Sequence, residues 1–258
     1  MTESWEGDTT AAWAARWGVP RLEVHERIRS TNDRARELAE AGADPFTTVI
    51  AEEQSAGRGR DGRRWESPPR SGLWMSVVAP GQDASGRLLV PLRVGLAVCR
   101  AVERVAPGVR AGIKWPNDVQ VGGRKLSGIL CEAGAGAVVI GVGVNVRQGA
   151  LSPELSPIAV ALEEVTDGHV DRTALAGRVL FELKELVTRG PVVLDAALGR
   201  ELAERDVLRG RRVAAGVGGT GIARGIDRDG ALLLEIRPGD VRHVVAGHVK
   251  IHDQEVRD

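Results

Sequence analysis

The 258-residue chain contains only two cysteines, Cys99 and Cys131, so at most one bridge could form and a disulfide-stapled scaffold is excluded. Net charge is equally scarce. Its 35 Lys+Arg balance 35 Asp+Glu, which argues against a general nucleic-acid coat protein and against an acidic solvating tail. Any electrostatic specialisation must therefore be local. No run approaches the roughly 18 uninterrupted apolar residues of a membrane span, and Met1 to Trp17 has neither a basic n-region nor a long apolar core, so the expected location is the cytoplasm. Neither Gly-x-Ser-x-Gly nor Gly-x4-Gly-Lys-Ser/Thr occurs, which disfavours serine hydrolase and P-loop chemistry. Lysine is rare as well: Lys114, Lys125, Lys184 and Lys250 are the only four, and the arginine-weighted basic content reads as codon bias. What remains, 43% hydrophobic and 27% charged residues, is the composition of a globular chain long enough to bury a sizeable core.

Residues 8 to 17 read as a short docking helix with Trp13 and Trp17 one turn apart. A strand over Leu22 to Ile28 leads into a helix that Ser30 or Thr31 can cap and Gly42 can end. Apolar strands over Phe46 to Ala51 and Leu73 to Ala79 flank a loop rich in Gly, Arg and Pro, residues 55 to 72. Leu88 to Val105 has helical spacing and is expected to be the longest core helix. Apolar runs over 112 to 134 and 137 to 146, broken at Asn117-Asp118, Gly122-Gly123 and Gly134-Ala135-Gly136, suit consecutive antiparallel strands. Helical segments follow over about 171 to 188 and 191 to 205. Beyond about residue 207 the pattern changes to short strands, Arg212 to Ala215, Gly221 to Ile226, Ala231 to Ile236 and Val241 to Val249, which suits a small β-barrel. The expected boundary lies near Asp206.

In the first loop, Gly57-x-Gly59-x-x-Gly62 formally matches the dinucleotide fingerprint, but Asp61, Arg63-Arg64 and Pro68-Pro69 leave no helix to receive a pyrophosphate. Glycines that admit close backbone approach, the guanidinium forks of Arg58, Arg60 and Arg63, and Trp65 as a stacking ring suit a phosphate or carboxylate attached to a base. A solvated basic loop and a nucleic-acid contact are the alternatives at this point. The second cluster is Lys114-Trp115-Pro116-Asn117-Asp118, where Pro116 ends a strand and Asn117-Asp118 can turn. Lys125 begins the returning strand through Gly128, so two of the four lysines bracket one hairpin.

Gly57-Arg58-Gly59-Arg60-x-Gly62-Arg63-x-Trp65, Lys114-Trp115-Pro116-Asn117-Asp118 and Lys125-x-x-Gly128-Ile129-Leu130 stand in the order and approximate spacing of biotin protein ligases, which the chain closely resembles over about residues 24 to 146. Ser30-Thr31-Asn32, Gln54 and Gly141-Val142-Gly143-Val144-Asn145-Val146 also match. The resemblance implies an α+β fold: a mixed-sheet catalytic domain over 1–206, of the kind shared with class II aminoacyl-tRNA synthetases, and an SH3-like barrel over 207–258. It implies that biotin and ATP form biotinyl-5′-AMP and pyrophosphate with Mg²⁺, and that a lysine of a biotin carboxyl carrier protein, or of the acceptor domain of an acyl-CoA carboxylase, then displaces AMP.

By the same resemblance Lys125 neutralises the meeting anions and Arg58 and Arg60 close the loop, which is expected to be mobile when empty; Gly57, Gly59 and Gly128 allow close approach to biotin. Ser30, Thr31, Asn32 and Gln54 resemble the polar set that holds the neutral ureido head, while Arg63, Trp65, Asn117 and Asn145 resemble adenylate contacts. Asp118 is left among three roles: orienting Lys125, coordinating Mg²⁺, or helping to deprotonate the incoming lysine. Ser30 and Thr31 could be caps alone, and Asn145 an edge turn residue. Only about 20 residues precede the first strand, too few for the winged helix that some members carry, so a ligase without operator binding is expected, as a monomer or homodimer. A lipoate-type ligase and a non-catalytic biotin- or nucleotide-sensing module are the alternatives. His243, His248 and His252 lack a matching carboxylate or cysteine set for zinc, and Cys131 reads as a small core residue.

Overall fold

The computed structural model describes residues 1–81, 88–134, 136–188 and 194–252. At the N-terminus β1 (Ser4–Trp5) and β2 (Asp8–Thr9) pair as a hairpin, and Thr9 caps α1 (Thr10–Trp17) by accepting from the Ala12 amide. Trp13 and Trp17 stack with centroids 5.3 Å apart, and Trp5 meets Trp17 edge-on at 6.0 Å. The shared indole face is what docks the helix.

Next come β3 (Leu22–Ile28), α2 (Thr31–Glu40), β4 (Thr48–Gln54), β5 (Gly72–Pro80) and α3 (Leu89–Val105). A run of short strands follows: β6 (Gly112–Lys114), β7 (Asp118–Val121), β8 (Arg124–Gly134) and β9 (Ala137–Asn145). Two helices, α4 (Arg172–Leu183) and α5 (Ala196–Arg205), complete this part. A π turn, Lys184–Thr188, extends α4 over the expected segment. Asp195 caps α5, so that helix begins later than the spacing predicts; residues 191–193 of the expected segment, and Ala135 of the expected turn, lie outside the described residues.

Seven strands form one sheet in the order β3-β4-β5-β9-β8-β7-β6, parallel only between β3 and β4, with α2 as the crossover. Period-two alternation divides its residues between two layers. Val49, Val78 and Val139 pack under Ala35 and Leu38 of α2. Ile50, Met75, Ile140 and Val142 point the other way, into the main core with Leu92 and Leu96 of α3 and Leu175 and Val179 of α4. Each such side chain contributes about 1.5–3 kcal/mol through its removal from water.

One irregularity sets the chemistry. Val119 pairs with Ser127 and Gln120 with Lys125, so β8 holds an extra residue, Leu126, at a bulge. On a regular strand Lys125 would share the core-directed face of Ser127. The bulge returns it to the face of Gly128 and sends Leu126, fully buried, into the core.

The C-terminal strands are β10 (Arg212–Ala214), β11 (Thr220–Ile226), β12 (Leu232–Arg237), β13 (Asp240–Val244) and β14 (Lys250–Ile251). They form an antiparallel five-stranded sheet in the order β13-β12-β11-β10-β14. The expected strand Val241 to Val249 is split: it ends at Val244, and Gly247, at φ 126°, turns the chain so that Lys250–Ile251 pairs with β10. Trp115 Nε1 donates to the Gly230 carbonyl at 3.0 Å in a buried contact, which seats this sheet against the turn after β6. Among the described residues no helix is long and apolar enough to cross a membrane.

Glu23 on β3 is buried and receives both Nε (2.9 Å) and Nη2 (3.0 Å) of Arg34 on α2. Arg34, followed by His25 and Arg21, outweighs burial and lowers the Glu23 pKa to about 2. A lowered carboxylate pKa stabilises the fold above the unfolded value of about 4.5, and that contribution is lost as pH falls towards 2. The urea midpoint of the wild type should therefore fall faster than that of Glu23→Gln between pH 5 and pH 3; parallel profiles would remove this role.

Candidate active site

A cavity of about 660 Å³ opens on the face of the seven-stranded sheet where α2 begins. Its walls come from the N-terminus of α2, the end of β4, the loop over 55–71, the β6–β7 turn, and β8 and β9.

One end is neutral and polar. Ser30, in extended conformation, caps α2 by accepting from the Asp33 amide, which leaves Thr31 and Asn32 in the first turn. The Thr31 amide and hydroxyl both donate to Gln54 Oε1, at 2.8 and 3.0 Å, and Gln54 Nε2 donates to Ser67 Oγ at 2.8 Å. Ser76 on β5, fully buried, donates to Asn32 Oδ1 at 2.6 Å and lies 2.8 Å from Thr31 Oγ1. Every member of this set is paired, so its geometry is fixed before any ligand arrives.

The other end carries charge. Lys125 Nζ lies 2.7 Å from Asp118 Oδ1 and 5.2 Å from the centroid of Trp65. Arg60 Nη1 donates to Asn117 Oδ1 at 3.1 Å, and Asn117 Nδ2 donates to the Ile129 carbonyl at 2.8 Å, which holds the β6–β7 turn against β8. Asn145 is buried and donates to the carbonyls of Val160 (3.3 Å) and Lys125 (3.4 Å). Arg63 and Arg64 also line the cavity.

Between the two ends two glycines lower the surface of the sheet. Gly128 faces Gly143 across the β8–β9 ladder, and the indole of Trp65 rests on both: a Cβ would fall 2.7 Å from Trp65 Cζ3 at Gly128 and 2.6 Å from Nε1 at Gly143. The Trp65 Nε1 hydrogen, buried, has no partner among the described residues. The loop itself folds back on Gly57, whose carbonyl accepts from the Trp65 amide at 2.9 Å and whose Cβ would lie 2.4 Å from the Trp65 carbonyl. Gly59 donates to the Arg63 carbonyl at 2.7 Å across a single 3-10 turn, Arg60–Gly62. No α-helix follows the three glycines, consistent with setting the dinucleotide fingerprint aside.

All the expected site residues thus border this one cavity or the turn that shapes it. Sequence reasoning missed several others. Glu132 on β8 receives Arg58 Nη2 at 2.5 Å and Asn32 Nδ2 at 2.9 Å, and Asp33 Oδ1 lies 3.1 Å from the same Arg58 nitrogen. A carboxylate following the apolar run Ile129 to Cys131 was the available signal for Glu132. Leu151, Leu155 and Ile158 also border the cavity, on a segment that pairs with Lys125 through Lys125 N to Ile158 O and Val160 N to Lys125 O, both 2.9 Å. From the C-terminal sheet, His248 and Lys250 reach the rim.

Two rim groups titrate abnormally. Lys114 is lowered from the usual lysine range, first by desolvation, with Lys125 and Arg211 adding to it and Asp118 opposing. His248 is also lowered, by desolvation and then by Arg63. Both shifts come first from burial, with neighbouring positive charge adding to them. Cys131 is pushed up to about 12 by burial, which leaves it an unreactive thiol at neutral pH. His243 pairs with Asp227 at 2.7 Å.

Among the described residues no three or more His, Cys, Asp or Glu side chains gather as a metal site, and Asp118, the carboxylate nearest Lys125, already has Oδ1 engaged. This donor set does not fit a resident cation. It fits an ion carried in by a polyphosphate, with phosphate and water supplying most ligands.

A second cavity, about 700 Å³, lies beside the N-terminal hairpin. Its central charges satisfy one another: buried Arg172 donates to both oxygens of buried Glu52, at 2.7 and 2.8 Å, and to Glu6, while Trp5 Nε1 donates to Glu52 Oε1 at 2.6 Å.

Residues 24–147 match the biotin/lipoate A/B protein ligase family. The chain is 36% identical over 237 residues to the bifunctional ligase/repressor BirA of Bacillus subtilis, covering 84% of this chain and 70% of that protein. It is 35% identical over 243 residues to the biotin–[acetyl-CoA-carboxylase] ligase of Mycobacterium tuberculosis, covering 88% of this chain and 90% of that one. Among solved structures, the biotin protein ligase from Aquifex aeolicus in complex with biotin and ATP superposes with a TM-score of 0.79 at 26% identity, over 90% of this chain and 99% of the other.

Proposed function

Because the chain belongs to the biotin/lipoate A/B protein ligase family, we propose that it attaches biotin to a lysine of a biotin carboxyl carrier protein or carboxylase acceptor domain, using ATP. One observation carries the reading beyond family membership. A neutral, fully paired hydrogen-bonding end built from Thr31, Asn32 and Gln54 shares one cavity with a cationic end built from Lys125, Arg60 and Arg63, across a glycine floor on which the Trp65 indole lies. Such a cavity suits a ligand with a neutral polar head, an apolar middle and an anionic tail.

In the first step an oxygen of the biotin carboxylate bonds to the α-phosphorus of ATP as the bond to the β-phosphate oxygen breaks, giving biotinyl-5′-AMP and pyrophosphate. Two anions must approach each other, and Lys125 lies where fixed positive charge lowers that cost. Asp118, at 2.7 Å, orients the ammonium. Among the described residues the Arg60 guanidinium is held by one neutral hydrogen bond, to Asn117, which it gives up on turning to a phosphate. Trp65 offers its face to the adenine, and Asn145 braces the strand ends beneath. Mg²⁺ carried by the triphosphate would supply charge screening for the leaving pyrophosphate, beside Lys125 and Arg60. In the second step the acceptor lysine, as the free amine, attacks the acyl carbon; the C–O bond to AMP breaks and the amine proton leaves to solvent.

The ligase unit spans 1–206 in this reading, and the β-rich unit over 207–258 is an SH3-like module that contributes His248 and Lys250 to the rim. Mass spectrometry of an acceptor domain after incubation with the chain, biotin, ATP and Mg²⁺ should show one lysine heavier by biotin less one water. An unmodified acceptor, with no biotin-dependent AMP produced, would reject the reading.

A further inference from the structure

The geometry points to Glu132, assisted by Asp33, as a clasp that fixes the near end of the arginine-glycine loop through Arg58, while the tip with Arg60 and Arg63 stays free to open and close. This deepens the proposed ligase reading and rests on it for the substrate named.

The argument starts from the unequal treatment of two arginines separated by one residue. Among the described residues Arg60 has a single neutral side-chain acceptor, Asn117 Oδ1. Arg58 faces two carboxylates from different parts of the fold: Glu132 Oε2 at 2.5 Å from β8 and Asp33 Oδ1 at 3.1 Å from the first turn of α2. Its side chain is about one-third exposed, and its Nε is buried without a partner among the described residues. Turning Arg58 towards a phosphate would abandon two ion pairs and leave two carboxylates beside an incoming anion. Turning Arg60 costs one neutral hydrogen bond. The loop therefore has an anchored end and a releasable tip.

The two carboxylates are not equivalent. Asp33 Oδ1 is shared with Arg36 at 3.1 Å, so its hold on Arg58 is divided. Glu132 has no competing cation recorded among the described residues, and the same oxygen accepts from Asn32 Nδ2 at 2.9 Å. One carboxylate oxygen thus sets the loop's near end and the orientation of a head-binding amide together. Glu132 is a positioning residue: loosening it should weaken biotin capture and the seal over the adenylate, with little effect on ATP binding at the tip.

Glu132→Gln tests this, because the isosteric amide can still accept from Asn32 but no longer carries charge against Arg58. In the ligand-free chain, trypsin should cut at Arg58 to Arg64 about fivefold faster than in wild type, with the thermal midpoint unchanged. The biotin KM should rise about tenfold, the ATP KM should stay within about twofold, and free biotinyl-5′-AMP should leak into solution. Asp33→Asn should show a smaller shift in the same direction. Arg58→Ala combined with Glu132→Gln should be no worse than Arg58→Ala alone. Wild-type cleavage and KM in Glu132→Gln, equal rises in both KM values, or effects that multiply in the double variant would overturn the clasp. The proteolysis arm needs no substrate: faster cleavage in a chain that fails to ligate biotin would uphold the clasp and count against the ligase reading.

Discussion

Lys125→Ala should reduce biotin-dependent pyrophosphate release by about a thousandfold, a loss of about 4 kcal/mol in transition-state stabilisation. Two effects add. The ammonium that faces the approaching carboxylate and α-phosphate disappears, and Asp118, now without the partner that stood at 2.7 Å, presents bare negative charge to the same place. The neutral end of the cavity keeps every internal hydrogen bond, so the biotin KM should change far less than kcat. Lys125 is about one-third exposed at its side chain, so the thermal midpoint should hold. Coupled-assay measurement of pyrophosphate release decides the matter. A variant within tenfold of wild type would mean that the charge at position 125 is not what brings the two anions together.

Arg172→Ala should be the most damaging change to stability, by about 3–5 kcal/mol. Both partners of the Arg172–Glu52 pair are buried, and the guanidinium also holds Glu6 and the Gly72 carbonyl. Truncation leaves the buried Glu52 carboxylate with Trp5 Nε1 as its one remaining side-chain hydrogen-bond partner among the described residues. The size of the loss reflects the abandoned charge and not the net worth of the pair. Replacing both members at once, Arg172→Met with Glu52→Leu, should therefore recover much of it. Urea midpoints of the two variants give the comparison, and a double variant as unstable as the single one would show that the pair itself, with its fixed geometry, supplies the stability. Glu52 lies two residues before Gln54, so activity per folded molecule should fall as well in the single variant.

Local rules made much of this molecule legible. Ser30 capping α2, the indole pair on α1 and the strand–loop–strand around residues 55 to 72 are all read from neighbours within a few positions, and they stand where the spacing puts them. What escaped depends on chain segments far apart. Arg58 and Glu132 are separated by 74 positions, and no periodicity announces a contact of that span. The segment that brings Leu151, Leu155 and Ile158 to the rim is neither helix nor strand: it is held by turns of its own, such as Leu155 N to Ser152 O, and by two bridges to Lys125. In the C-terminal sheet, alternation continued past Val244, and only the backbone of Gly247 shows that the chain turns there. The spacing Lys125-x-x-Gly128 would place two residues on opposite faces of a regular strand. They share a face because the bulge intervenes, a fact the motif carries silently.

That bulge separates two demands that a straight strand would set against each other. The residues that seal the interior, Leu126 and Ser127, and the cation that lines the cavity, Lys125, sit side by side in the chain on opposite sides of the sheet. An extra residue in one strand thus buries Leu126 and Ser127 in succession and still returns Lys125 to the side of Gly128.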